Sequence, residues 1–340
     1  MAISNRASLW TRAALLAGAA SVLFCPPLQA QAGQEKAAPD SAAQIQKRVE
    51  LVNVDVAVTD RRGNFVRNLK RENFRIFDNG VEQPITHFAP VEEPAVVLVL
   101  VETGPAVYLI QRQHLAAAQA LFDGLAAEDW VGLGTYDKAA RVRLGLTQDK
   151  SAVQRGMLGP QFGLGMGQLN LSEGVSEALT WLSEVPAKKA IVLISTGLDT
   201  SAPGRWEALL DELRGSDVAI FAVGMGGNLR DFKDETKYRD TRSAPLSFER
   251  AARALRILAG TTGGRAWFPR SPKEFPAIYG EIALVLRHRY SLGFAPPARD
   301  ARLHRIEVQV VTDTGRVVSS AKQSSSLRIF TRHGYVAPGP

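Results

Sequence analysis

Apolar and polar positions alternate at the start of the globular part of the chain. Val52, Val54, Val56 and Val58 are interleaved with Asn53, Asp55 and Ala57, the period of two expected of a strand with one buried face. Asp60-Arg61-Arg62-Gly63-Asn64 reads as a turn. Phe74 and Ile76 lie before Asp78-Asn79-Gly80, and Val81, Ile85 and Phe88 lie after it. Asn-Gly favours the tight primed turns of hairpins, so a hairpin is predicted here.

From Ala95 the pattern changes. Ala95–Val101, Ala190–Ser195 and Val218–Val223 are continuous apolar runs, as expected of strands covered on both faces. Trp130–Tyr136, Arg141–Leu146 and Gly263–Phe268 are further strand candidates. Between them, apolar residues recur at helical spacing in Gln111–Ala127 and in the sets Val175/Ala178/Leu179/Leu182, Trp206/Leu209/Leu210/Leu213 and Phe248/Ala252/Leu255/Leu258. Ser271-Pro272-Lys273-Glu274 is a capping box with Pro at the first helical position. It opens a helix carrying Phe275, Ile278, Tyr279, Ile282 and Leu286. The chain then returns to strands at Tyr290–Phe294, His304–Val311, Val317–Ser320 and Ser326–Phe330.

This alternation predicts an α/β fold over 95–288, a mostly parallel sheet with helices on both faces. Residues 49–90 and 289–340 are expected to pair into a β-sandwich-like module, since the ends of an inserted domain usually lie close together. The four Trp beyond the N-terminal segment (Trp130, Trp181, Trp206 and Trp267) fall within predicted elements and read as core or near-core.

Residues 1–32 read as a signal peptide: Arg6 and Arg12, the apolar run Ala13–Phe24, then Ala30-Gln31-Ala32 as a cleavage site. The run is too short for a convincing membrane span, so no transmembrane segment is expected after its removal. Lipidation of Cys25 is the competing reading, with bulky Phe24 standing where that signal wants a small residue. Residues 33–48 are a flexible linker. The chain has 340 residues, a formal charge of +7 and a single Cys. That excludes a disulfide scaffold and a Cys-type zinc site. Basic and acidic residues are interspersed, so no nucleic-acid footprint is expected.

Three stretches carry a family resemblance: Ala95–Val101 with its following loop, Leu115–Asp137 and Lys188–Asp199. They resemble the von Willebrand factor A domain. The flanks Val49–Phe88, Arg287–Pro297 and Arg328–Ala337 resemble the secreted A-domain-related proteins of acidobacteria. The resemblance implies a metal-ion-dependent adhesion site at the carboxyl edge of the sheet. Its ligands would be an Asp-x-Ser-x-Ser loop, a Thr from a second loop and an Asp after the strand that here is Ala190–Ser195. Mg²⁺ asks for about six oxygen ligands.

This chain departs from that pattern. Glu102, Thr103, Gly104 and Ala106 occupy the first loop, with no side-chain oxygen at Gly104 or Ala106. The second loop offers Gln168 and Asn170 but no Thr. Thr196 stands at the Asp position, with Asp199 displaced by three. No cofactor is expected, Mg²⁺ and Mn²⁺ included, and the plain reading of Glu102 is a solvated carboxylate at a strand end. The loops 102–110, 163–171 and 196–204 remain the expected binding edge.

No Gly-x-Ser-x-Gly elbow appears, and no His pair has metal-ligand spacing. The Gly163–Gly167 and Gly224–Gly227 clusters lack Gly-Lys-Ser/Thr. The expectation is therefore a non-enzymatic binding module, secreted or periplasmic and associated with the cell envelope, with a protein partner. Two alternatives stand beside it: an envelope scaffold acting through its β-sandwich, and a metal-dependent adhesin with a non-standard site. Arg250, Arg253 and Arg256, with Arg230, Lys233 and Lys237 in the charged 226–245 insertion, read as a solvated face or as a contact for an acidic surface or polysaccharide.

Overall fold

The computed structural model describes residues 51–104, 120–157, 168–202, 204–225, 248–320 and 327–339. The segments predicted as signal peptide and linker, Ala106, the glycine cluster at 163–167 and the charged insertion lie outside these residues.

The chain opens with strands β1 (Val52–Asp60), β2 (Phe74–Asp78), β3 (Val81–Gln83) and β4 (His87–Val91). Next come β5 (Ala95–Glu102), β6 (Trp130–Tyr136) and β7 (Ala140–Thr147). Helices α1 (Lys150–Met157) and α2 (Leu171–Ser183) lead to β8 (Lys188–Ser195). Then follow α3 (Arg205–Gly215), β9 (Ala219–Gly224), α4 (Phe248–Thr261), β10 (Ala266–Trp267) and α5 (Phe275–Arg287). The chain ends in β11 (Arg289–Phe294), β12 (Leu303–Val311), β13 (Val317–Ser320), β14 (Leu327–Phe330) and β15 (Gly334–Val336).

Six strands form the central sheet in the order β10-β9-β8-β5-β6-β7. All are parallel except β7, which runs antiparallel on the edge beside β6. The apolar runs divide between its two faces. Val97, Val99 and Val101 of β5 pack with Val153 and Met157 of α1 and with Phe275, Ile278 and Ile282 of α5. Val96, Leu98 and Leu100 pack on the other face with apolar residues of α2, α3 and α4. This two-sided burial is why β5 needs no polar alternation; each fully buried Val or Leu contributes about 1.5–3 kcal/mol.

The flanking strands build two antiparallel sheets, β14-β1-β11-β4 and one in which β13-β12-β2-β3 is joined by β15. Their shared core takes Val52, Val54, Val56 and Val58 with Ile76, Tyr290, Ile306 and Val308. Asp78 and Val81 are directly paired across Asn79 and Gly80, whose φ values of 49° and 85° make the primed two-residue turn predicted for Asn-Gly. The other side of β1 is exposed at Asn53, half-buried at Asp55 and covered at Ala57 and Thr59. Ala57 is buried and packs with the core of the central sheet, and Arg48–Pro340 forms one compact unit.

Several features differ from the sequence reading, the unanticipated strand β15 among them. Helix α1 was not anticipated, because Val153 and Met157 alone mark its buried side. Trp130 is 43% exposed at the start of β6, not core; Trp267 is buried, and Trp181 and Trp206 are half-buried.

Candidate functional site

Because the strands are parallel, β5, β6 and β8 end at the same edge. The pairing sets Glu102 beside Tyr136 and Val101 beside Ile194, so Glu102, Tyr136 and Ser195 converge. The strand order changes direction here: the chain leaves β5 toward β6 and leaves β8 toward β9. Such a switch point opens a crevice outside the strand ends, the usual ligand position in open α/β sheets.

In this chain a side chain from within fills that position. Glu102 is not a solvated carboxylate; it is fully buried, as are Tyr136 and Ser195. Its Oε2 accepts from Thr196 N at 2.8 Å, Thr196 Oγ1 at 2.9 Å, Ser195 Oγ at 3.0 Å and Tyr136 OH at 3.1 Å. Thr196 Oγ1 also lies 3.0 Å from Oε1. The Tyr136 and Ser195 hydroxyls are themselves 2.6 Å apart, and Gly197 N donates to Ser195 Oγ. Three hydroxyls and one amide thus supply donors to one carboxylate, which offers about four lone-pair sites.

Burial pushes the Glu102 carboxyl above its ordinary value, against the downward pull of these hydrogen bonds. Burial, followed by the Glu102 charge, pushes the Tyr136 phenol well above its own, so Tyr136 remains a donor at neutral pH. Among the described residues no Lys or Arg forms an ion pair with Glu102.

The other predicted residues are placed as follows. Thr103 turns away: its amide and hydroxyl both donate to Tyr136 O, at 3.0 and 3.1 Å. Gly104 sits against the carboxylate, and a Cβ there would lie 2.8 Å from Glu102 Oε1. Gln168 is exposed. Asn170 bridges loops, donating to Lys138 O at 2.9 Å while its Oδ1 lies 3.2 Å from Thr200 Oγ1. Thr200 N donates to Leu169 O at 2.7 Å, and Leu169 N to Thr200 Oγ1 at 2.9 Å. Thus Glu102, Gly104 and Thr196 are brought together, while Gln168 and Asn170 belong to a second pair of loops closed on each other.

Asp199 has a separate task. Its Oδ2 accepts from Ser172 N at 3.2 Å and from Ser172 Oγ, and its Oδ1 accepts from Ser201 N at 3.0 Å. It caps helix α2 from another loop, where the Asn170 side chain does not cap, and a carboxylate is favoured at that positive helix end. Sequence reasoning missed Tyr136, Ser195, Ser172 and Thr200 as site residues. Tyr136 had one available signal: it ends the strand predicted next along the chain after Ala95–Val101.

A divalent cation would need about six oxygens with lone pairs turned inward. Here the hydroxyls are engaged with Glu102 and with one another, Gly104 supplies no oxygen, and Asp199 is engaged at the helix end. The residues present do not fit such an ion. No group of three or more His, Cys, Asp or Glu placed to hold a metal occurs among the described residues.

No family model and no curated protein matches the chain. It is similar to solved structures that include a von Willebrand factor type A protein from Catenulispora acidiphila, with 12% identity over 73% of this chain and 71% of that one and a TM-score of 0.43. BatB from Bacteroides thetaiotaomicron matches with 18% identity over 57% and 98% of the two chains and a TM-score of 0.40. The vWF domain of the pilus tip protein Mfa5 from Porphyromonas gingivalis matches with 11% identity over 57% and 95% and a TM-score of 0.42. The scores lie below 0.5, so the fold is stated from this chain's own strand order and register. That fold, a six-stranded and mostly parallel sheet with helices on both faces, is the one its resemblance to von Willebrand factor A domains implied.

Proposed function

We propose that this protein is a non-enzymatic protein-interaction module of the cell envelope or exterior. It would bind its partner through the carboxyl-edge loops without a bridging metal. The observation that carries this is the saturation of Glu102 by Tyr136, Ser195 and Thr196. A carboxylate satisfied from within holds the crevice closed and leaves the surrounding loops as a preorganised surface, which lowers the ordering cost of binding. The same burial argues against catalysis there, since a reacting group must reach its substrate. Export rests on the N-terminal segment. Among the described residues no helix is long and apolar enough to cross a membrane.

A second reading is supported by exposed Val81 on β3 and Val317 on β13, at the two edges of one antiparallel sheet. An edge strand can accept a partner strand, as an envelope scaffold would require.

Photo-crosslinking residues installed at Gln168 and Thr200, and separately at Val81 and Val317, distinguish the two in the protein's own cells. Adducts at Gln168 and Thr200 that persist in EDTA support the first reading. Adducts confined to Val81 and Val317 replace it with the scaffold, and loss of the edge adducts in EDTA restores a metal-dependent adhesin.

A further inference from the structure

The opposite edge of the sheet holds a cleft of about 800 Å³. One side is formed by the beginnings of β5, β8 and β9, and the other by the outward side of β1 with Arg289 and Ser291 of β11. That volume is ample for a small organic molecule and far larger than a simple inorganic anion.

Five cations and three carboxylates line the cleft, an excess of two positive charges. Most are already paired. Lys189 meets Asp217 at 3.0 Å, Arg289 meets Glu93 at 3.3 Å, Lys188 contacts Asp55, and Arg214 contacts Asp211. Arg332 is left with no carboxylate at ion-pair distance among the described residues. Its Nη2 donates to Asn53 O at 2.8 Å, while its buried Nε has no hydrogen-bond partner there. The hydroxyl of adjacent Thr331, a residue 8% exposed, is likewise buried and unpartnered. Buried polar groups are normally satisfied, and two consecutive exceptions on the wall of a cavity ask for a ligand atom.

The charge balance agrees. Burial, then the positive charges of Arg289 and Arg332, push the Lys188 ammonium down to about 7, while Asp217 pulls the other way. An incoming anion would act in the same sense as Asp217. Apolar surface continues from these groups, with Phe221, Val285 and Phe330 on the same walls.

We propose that this cleft binds a small organic anion, its oxyanion head on Arg332 and Thr331 beside Lys188 and its apolar body against Phe221, Val285 and Phe330. A guanidinium suits carboxylate, phosphate and sulfonate heads alike because its N–H fork matches paired oxygens. The site lies at the edge opposite Glu102 and stands or falls independently of the proposed interaction surface.

The test uses the purified full chain and the fluorescent probe 8-anilinonaphthalene-1-sulfonate, an apolar body with an anionic head. Saturable binding of one probe per chain is expected, together with at least tenfold weaker binding in Arg332→Gln and in Lys188→Gln. Arg253→Gln, which removes an exposed cation on α4, should leave binding unchanged. Decanoate and hexyl phosphate serve as competitors; whichever displaces the probe at lower concentration identifies the natural head as carboxylate or phosphate. Binding of neutral N-phenyl-1-naphthylamine as tightly as the sulfonate would overturn the anionic assignment. Displacement by inorganic phosphate as effective as by decanoate would overturn the apolar half. Absence of saturable binding, failure of both organic competitors, or Arg332→Gln and Lys188→Gln binding within twofold of wild type would overturn the site. Should Arg332→Gln fail to fold, Lys188→Gln and the competitor series decide.

Discussion

Glu102 and Thr196 stand 94 residues apart and meet through the Thr196 amide, at 2.8 Å, and its hydroxyl, within 3.0 Å of both carboxylate oxygens. The contact ties the end of β5 to the loop after β8 at the point where the sheet's winding reverses. Burial penalises the charged form of Glu102, so ionisation costs the folded state more than the unfolded one. The stability tied to its neutral form is complete below the ordinary carboxylate range and is lost as pH rises through the raised folded value. Tyr136 is the titratable group in contact with it. Glu102→Gln keeps the shape without the charge, and the three hydroxyls can rotate to suit an amide. The difference in melting temperature, Glu102→Gln minus wild type, is expected to grow from pH 4 to pH 8. A constant or shrinking difference would show that Glu102 is not charged at a cost. Glu102→Ala should be less stable than wild type throughout, because each buried donor left unpaired costs about 1–3 kcal/mol.

Millimolar Mg²⁺ or Mn²⁺ is expected to leave the melting temperature unchanged. A ligand that binds only the folded state raises stability by mass action, so thermal melts with each ion read the site directly. A saturable rise that Glu102→Gln abolishes would show that the hydroxyls reorient and that the site takes a cation.

The sheet was legible in the sequence because its strands are buried on both faces. Ala95–Val101 can only be a covered strand, and the structure sends its alternate residues into two cores. The hairpin at Asn79-Gly80 was legible because its turn is local. The Glu102 cage was not. It depends on Tyr136 and Ser195, 34 and 93 residues from Glu102 along the chain, and on a parallel register that no local pattern records. A carboxylate at a strand end reads as solvated until the strands beside it supply hydroxyls. The Asp78–His304 contact spans 226 residues and was hidden for the same reason.

That second buried cluster carries its own pH dependence. His304 Nδ1 lies 2.8 Å from Asp78 Oδ1, its Nε2 lies 3.3 Å from Asp300 Oδ1, and Tyr335 OH donates to Asp78 Oδ2 at 2.7 Å. Burial lowers the His304 value, but its hydrogen bonds to Asp78 and Asp300 and their charges together outweigh it and raise the ring above 6.5. The resulting stability is complete below the unfolded value and is lost as pH rises through the folded one. A histidine titration by NMR should place His304 above 6.5. The stability advantage of wild type over His304→Asn should decline between pH 6 and pH 9; an advantage that rises over this window would reverse the assignment. Asp78→Asn should cost about 3 kcal/mol, since it breaks a buried pair and removes the charge on β2 to which Tyr335 of β15 donates.

Tyr136→Phe separates the two roles of the cage. The substitution keeps the ring that packs in the sheet's second core and removes the hydroxyl 3.1 Å from Glu102 and 2.6 Å from Ser195. A net loss of about 1 kcal/mol is expected, the ordinary contribution of one hydrogen bond. Removing a donor to the carboxylate also disfavours its charged form. The loss should therefore be greater at pH 8 than at pH 4, where a protonated Glu102 needs fewer donors. Denaturant melts at the two pH values measure it. Equal losses would mean that Tyr136 donates to Ser195 alone and that Ser195 and Thr196 hold the Glu102 charge without it.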